Sequence, residues 1–166
     1  MPIIKCTLKL AKMIGVSLEA PGADSTDDWH ANVFTIDRRR YVLFCSDETR
    51  FCCLAGPVRK RDVQDLGGVL RNSLAATLRF ESFGPTSIVY CLERLEDPTL
   101  AKSNNRSVLG TINDNQWHIE EHAFRDGGVD MHGTAGLVAH VNHMPLGPLD
   151  YGDAINEFRK RCIRAA

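Results

Sequence analysis

Residues 118–122, His-Ile-Glu-Glu-His, are the first part of the sequence whose types and spacing could do chemistry. They fit the H-x-x-E-H pattern of inverted zinc proteases, in which two histidines on one helix face share a zinc ion and Glu121 acts as a general base. Such a peptidase needs a third ligand from a substantial downstream domain, and only 44 residues follow His122. His140 and His143 repeat the pattern at a spacing of three. We interpret these histidines as a solvated helix face and expect no metal and no cofactor.

Motifs for covalent catalysis or phosphate binding are missing from the sequence. Ser107 does not lie in a G-x-S-x-G elbow, and no cysteine lies in a known catalytic frame. The glycines form neither G-x-G-x-x-G nor G-x-x-x-x-G-K. The sequence therefore contains no complete catalytic constellation.

Three short basic runs stand out against a formal net charge of −1: residues 38–40, 59–61 and 159–161. If the first two runs meet at one end of a sheet, they form a local anion site despite the neutral total. The alternative is a set of solvated loop ends and a helix C-terminus, where positive charge is favourable. Because a general basic excess is missing, nucleic acid is not expected as a partner.

The segment 105–114 is the most informative polar stretch. Asn104 or Asn105 can cap a helix that starts there, which leaves backbone N–H groups pointing outwards. Arg106 in the first turn opposes the helix dipole, so it needs a partner. That partner is either an internal carboxylate (Asp37 or Asp47), which makes Arg106 a structural latch, or an anionic ligand.

Two hypotheses for function follow. The first is a non-catalytic binding or regulatory module that recognises a protein or a small anionic ligand. The alternative is an enzyme acting on a phosphate-bearing substrate or nucleic acid, with Arg38, Arg40 and Arg106 stabilising charge and Asp114 as base. The candidate ligand-binding residues are Arg38, Arg40, Asn105, Arg106, Ser107, Asn113 and Asp114.

The elements that must position these residues can be read from hydrophobic periodicity. Strands are predicted over 3–6, 29–36, 41–45, 49–54 and 87–92. Helices are predicted over 8–14, over 60–81, from 105 to the stop at Asp126-Gly127-Gly128, over 134–143 and over 153–163. Short polar breaks between the strands from 29 to 54 favour an antiparallel meander. The sequence thus predicts one α+β domain over residues 1–166, with a single antiparallel sheet of about four to five strands and helices packed on one face.

Composition places the chain among soluble cytoplasmic proteins. No apolar run reaches the ~20 residues that a membrane span requires, and the first residues do not form a signal peptide. The six cysteines mostly lie in apolar runs, so we expect free thiols rather than disulfides. A homodimer is compatible with the sequence.

Several separated motifs resemble a bacterial domain family of unknown function, DUF6933. They are residues 29–39 (WHANVFTIDRR) with the apolar strand 41–44, residues 59–62 (RKRD), and residues 105–114 (NRSVLGTIND). The resemblance covers about residues 3–125, and His30 replaces the Tyr typical of the family. It implies a bacterial cytoplasmic protein and brings no known activity or cofactor. Residues 126–150 lack the pattern.

Overall fold

In the computed structural model, which describes residues 1–125 and 127–164, five strands form one sheet in the order β4-β3-β2-β1-β5. The strands are β1 (Ile3–Cys6), β2 (Trp29–Ile36), β3 (Arg39–Ser46), β4 (Cys52–Ala55) and β5 (Thr99–Lys102). The predicted meander is present, because β2, β3 and β4 pair antiparallel.

The α+β class and a sheet of about five strands are confirmed, but the sheet is mixed rather than purely antiparallel. β1 lies between β2 and β5 and pairs parallel with both. Residues 7–28 make this possible, since they are long enough for a crossover that contains a helix. The short polar breaks that indicate antiparallel pairing apply only to β2, β3 and β4.

The described part of the chain contains six α-helices. They are α1 (Leu8–Ile14), α2 (Leu66–Phe80), α3 (Pro85–Glu93), α4 (Arg106–Arg125), α5 (Val129–Asn142), which is kinked at Gly133, and α6 (Ala154–Arg164). Asp126, part of the predicted stop after α4, lies outside the described residues. Among the helices in the described ranges, none combines the length and the apolar composition that a membrane span requires.

One local prediction fails, and one short strand has no sequence signal. Residues 87–92 were predicted as a strand because of their β-branched and aromatic side chains, yet they lie in α3. Gly84 and Pro85 start this helix: proline at the first helical position has a suitable φ and needs no N–H partner there. The short edge strand β5 was not predicted, because four residues carry too little periodicity.

Helices cover both faces of the sheet, and the prediction of one covered face is wrong. One core joins Ile4, Trp29 and Phe44 to α1, α2, α3 and α6, and a second joins Leu43 and Leu54 to α4 and α5. The reason is visible in β3, whose residues 41–46 are all buried. A continuously apolar strand needs cover on both of its faces.

Candidate functional site

The turn between β2 and β3 places the first basic run at one end of the sheet. Asp37 and Arg38 form a two-residue turn, with φ values of 48° and 64°. Positive φ at both positions is typical of a type I′ turn, which suits the strand twist and favours glycine or asparagine. Arginine costs roughly 1–2 kcal/mol in this region. Arg38 thus lies at the hairpin tip, and Arg39 and Arg40 begin β3.

Gly56 brings the second basic run to the same end. It follows β4 with a φ of 146°, and a Cβ there would lie 2.6 Å from the Tyr41 ring. Only glycine lets the chain pass so close to this ring. Just beyond it, the Val58 N–H donates to the Arg40 carbonyl oxygen at 2.8 Å, which holds the following residues beside β3.

The two basic runs line one groove of about 620 Å³, here called the basic groove. Asp62 is the one carboxylate among the lining residues. Its Oδ2 accepts a hydrogen bond from the Arg59 N–H at 2.6 Å, and its Oδ1 lies 3.9 Å from the Arg61 Nε. The two runs therefore meet at one end of the sheet, the arrangement on which the anion-site hypothesis depended. The cations of the groove are Arg38, Arg39, Arg40, Arg59, Lys60 and Arg61.

Positive charge continues from the basic groove onto α1. Arg40 also lines a neighbouring cavity of about 320 Å³, together with Lys9 and Lys12. The apolar part of that wall includes Met13 and Val33. A chain with a net charge near zero therefore carries a strongly positive surface at this end of the sheet.

The start of α4 is organised as the sequence predicts in one respect. The Asn105 Oδ1 accepts hydrogen bonds from the Ser107 N–H at 3.0 Å and the Val108 N–H at 3.2 Å, so Asn105 is the helix cap. The Ser107 hydroxyl oxygen accepts from the Arg50 Nη2 at 3.0 Å. Ser107 is thus engaged within the fold.

Arg106 is exposed, and within the described ranges its guanidinium forms no hydrogen bond or ion pair. The latch with Asp37 or Asp47 is therefore not what the structure shows. Asn113 and Asp114 lie further along α4 and are also exposed.

The candidate residues fall into two separate groups. Asn104, which precedes α4, donates to the His30 Nε2 at 3.4 Å near the start of β2, whereas Arg38 follows the end of β2. At about 3.3 Å per strand residue the two ends are roughly 20 Å apart. Arg38 and Arg40 are therefore too far from Arg106 to act together on one small phosphate group.

Replacement of Arg106 by alanine should leave the free energy of unfolding within about 0.5 kcal/mol of the wild type. No internal partner is lost, and a positive charge leaves the N-terminus of α4, where it opposes the dipole. Chemical denaturation of both proteins measures the difference. A loss near 3 kcal/mol would reveal a buried partner and restore the latch.

Lys5 forms the centre of a buried ionic cluster that sequence reasoning missed. Its Nζ lies 2.7 Å from Asp24 Oδ1, 3.2 Å from Asp28 Oδ2 and 3.0 Å from Asp47 Oδ2. Burial alone would lower the pKa of Lys5, but hydrogen bonds to Asp24 and Asp47 raise the pKa above its ordinary value. Burial likewise opposes ionisation of Asp47, yet hydrogen bonds with His30 and Lys5 hold the pKa of Asp47 below its ordinary value.

His30 and Arg50 extend this cluster. The His30 Nδ1 lies 2.7 Å from Asp47 Oδ1, and its Nε2 accepts from a backbone N–H, so the geometry assigns the neutral form protonated at Nδ1. The Arg50 Nη1 donates to the Asp47 carbonyl oxygen at 2.6 Å, while its buried Nε has no partner among the described residues.

This cluster, here called the Lys5 latch, connects several elements of the fold. Lys5 and His30 are completely buried, and both ring nitrogens of His30 are engaged. The contacts tie β1 to the loop before β2, the turn after β3 and the start of α4. One sequence signal could have found the latch: Lys5 is a charged residue inside the apolar run Ile3–Cys6.

The histidine motif lies on α4, as the sequence predicts. α5 brings His140 beside His122, with parallel rings whose centroids are 4.7 Å apart, a contact that sequence alone did not indicate. Glu121 pairs with Arg125 at 3.2 Å. In the ranges that the structure describes, no group of three or more His, Cys, Asp or Glu side chains is placed to hold a metal ion.

Fold and site together define an α+β domain with a mixed sheet covered on both faces and a basic groove at the hairpin end. The chain belongs to the family described as Domain of unknown function (DUF6933), whose sequence model matches residues 3–157. The match extends past residue 125, the limit of the resemblance seen in the sequence, and includes α5. No curated protein and no solved structure matches the chain significantly.

Proposed function

We propose that the protein is a non-catalytic binding module that recognises closely spaced anionic groups, such as phosphates, in the basic groove. The observation that carries the proposal is the meeting of residues 38–40 and 59–61 around one cavity. The ligand is either a small anion or an acidic segment of a partner protein, since both present the same charges.

The cations of the groove are available to a ligand. All six are exposed, and Arg38, Arg40, Arg59 and Lys60 have no side-chain ion pair among the described residues. Like charges held at one site repel one another, so their clustering costs free energy that a bound anion would recover. Arginine is well suited to this role, because its planar fork matches phosphate and carboxylate oxygens.

The backbone at Arg38 supports the same proposal. Glycine would adopt the φ of 64° without strain, yet the hairpin tip carries an arginine. Strained positions of this kind cluster at functional sites. The enzymatic alternative is weaker, because it needs Arg38 and Arg40 to act with Arg106 from the other end of β2.

A double variant tests the proposal. Tripolyphosphate should raise the melting temperature of the wild type at physiological salt, because a ligand that binds only the folded state stabilises it. In Arg40→Ala/Arg59→Ala the affinity measured by calorimetry should fall at least tenfold, since charge-assisted contacts are worth about 1.5–3 kcal/mol each. An acidic peptide and a single-stranded oligonucleotide, titrated in parallel, separate the ligand classes.

Arg79→Ala and Arg106→Ala serve as matched controls, because both remove an exposed arginine away from the groove. If a control lost as much tripolyphosphate binding as the double variant, the binding would be due to general charge attraction and not to the basic groove. Loss in Arg106→Ala alone would move the site to the start of α4. Binding of the oligonucleotide without tripolyphosphate or the peptide would contradict the proposed ligand class.

Arg38→Gly separates binding from folding. The variant should weaken tripolyphosphate binding, while its stability should equal or exceed that of the wild type by up to about 1 kcal/mol, since glycine relieves the left-handed strain. Titration and denaturation of the same preparation give both values. A variant that keeps full affinity would remove Arg38 from the site.

A cytoplasmic location in a bacterium is part of the proposal. All six cysteines are buried thiols, as expected in a reducing compartment.

A further inference from the structure

Cys91 and Cys162 lie side by side between two helices. Cys91 belongs to α3 and Cys162 to α6, and their sulfur atoms are 3.1 Å apart. Both side chains are buried, with 7% and 5% of their surface exposed. The fold therefore holds two thiols in contact although 71 positions separate them in the sequence.

A small cavity gives access to this pair. It has a volume of about 20 Å³, which is room for one molecule the size of water. Its walls include both cysteines and the partly exposed Tyr90 and Arg94, so it reaches the surface. Arg94 is fixed there by Asp27, whose Oδ2 lies 2.6 Å from the Arg94 Nη2.

The two thiols differ in chemical character. The hydrogen bond with Cys91 lowers the pKa of Cys162 against the effect of burial, and the charges of Arg161 and Arg159 act in the same direction. The same hydrogen bond and burial raise the pKa of Cys91 well above its ordinary value. The thiolate is the reactive form of cysteine, and Arg161, the neighbour of Cys162 on α6, also lines the cavity and favours a thiolate at Cys162.

We propose that Cys91 and Cys162 are a redox modification site, at which a small peroxide converts the two thiols into a reversible disulfide. The Cys162 thiolate attacks one peroxide oxygen, the O–O bond breaks, and Cys162 becomes a sulfenic acid, while the hydroxide that leaves takes up a proton and becomes water. The Cys91 sulfur then attacks the Cys162 sulfur, the S–S bond forms, and the S–O bond breaks with release of water. The two thiols lose two electrons and two protons, and hydrogen peroxide becomes two molecules of water.

A second cysteine pair in the same chain provides an internal comparison. Cys45 and Cys52 are register partners on β3 and β4, and both are fully buried. Interaction with Cys52 and burial raise the pKa of Cys45 well above its ordinary value. Because neither side chain has any exposed surface for peroxide to reach, this pair should resist peroxide.

Thiol titration and peptide mapping test the proposal. Full-length protein treated with stoichiometric hydrogen peroxide, then denatured, should fall from six free thiols to four, with Cys91 and Cys162 joined in one peptide pair. A reductant should restore six. A disulfide between Cys45 and Cys52 would overturn the proposal. So would six remaining thiols under conditions that fully oxidise a small-molecule dithiol.

Single variants assign the roles. Cys91→Ser should form no disulfide and should accumulate a sulfenic acid at Cys162 that reacts with dimedone. Cys162→Ser should show no dimedone adduct at Cys91. Cys53→Ser, which removes a buried cysteine outside the pair, should still lose two thiols. A dimedone adduct at Cys91 in Cys162→Ser would overturn the assignment of the nucleophile, and the wild-type mapping stands even where a variant fails to fold.

Discussion

Replacement of Lys5 by methionine is expected to lower the free energy of unfolding by about 3–5 kcal/mol, the range typical of breaking a buried ion pair. Methionine keeps the length and packing of the side chain but leaves the buried carboxylate of Asp28 and the partly buried carboxylate of Asp47 without their cation. Asp24 adds little, because 75% of its side chain is exposed. Urea denaturation at neutral pH measures the loss.

The pH dependence of this loss distinguishes ionic from packing effects. The folded pKa of Asp47 is lowered, so its contribution is present above the unfolded value near 4 and is lost as the pH falls through the folded pKa. The folded pKa of Lys5 is raised, so its contribution is present below about pH 10 and is lost as the pH rises through the folded pKa. The difference between wild type and variant should therefore be largest near neutral pH and should narrow below about pH 4.

Lys9→Met provides the control, because Lys9 is an exposed lysine on the adjacent α1. It should change stability by no more than about 0.5 kcal/mol. If Lys5→Met were equally mild, or if its loss were constant with pH, the latch would contribute nothing through charge.

Asn142→Ala is expected to lower the free energy of unfolding by about 2–4 kcal/mol. The fully buried Asn142 side chain accepts from the Cys52 N–H at 2.8 Å and donates to the Cys52 carbonyl oxygen at 2.9 Å. Both Cys52 groups belong to the edge strand β4. The Phe51 carbonyl oxygen, which shares a peptide with the Cys52 N–H, faces β3 and accepts from the Ser46 N–H. The Cys52 N–H and carbonyl therefore point away from β3. Alanine would leave two buried backbone groups without partners.

Asn142→Asp sharpens this prediction. Aspartate keeps the acceptor for the Cys52 N–H but sets a second oxygen against the Cys52 carbonyl, so it should destabilise at least as much as alanine. Asn72→Ala, at an exposed position of α2, should stay within about 0.5 kcal/mol of the wild type. Thermal and urea denaturation of the three variants would show whether this carboxamide holds β4; an Asn142→Ala protein as stable as the Asn72 control would show that it does not.

The sequence predicts those parts of the fold that depend on local signals. Thr7 and Gly15 delimit α1 as expected, because a side-chain cap and a left-handed glycine act within one turn. The covered second face and the parallel position of β1 depend on contacts between distant segments, which no window of residues contains.

The candidate site likewise has parts that the sequence predicts and parts that only the fold reveals. The runs 38–40 and 59–61 are visible in the sequence, but their meeting depends on a glycine, Gly56, whose neighbour Tyr41 is known only from the fold. The latch around Lys5 draws its carboxylates from two separate loops, so its charge pattern is invisible along the chain. The sequence predicts a partner for Arg106, but the Asp47 carboxylate pairs with Lys5 and His30 instead.

The order of strands in the sheet sets the order in which the protein can assemble during synthesis. β1 pairs on one side with β2 and on the other with β5, so that Ile3 lies beside Thr99. The β2–β4 hairpins form from nearby residues, whereas the β1–β5 pairing must close a long loop and is the slower step. Until residues 99–102 leave the ribosome, the nascent chain carries β1 with one unpaired edge, which is a template for association with other chains. The last strand to join the sheet also leads directly into Asn104, so the contact between His30 and the start of α4 completes only at that stage.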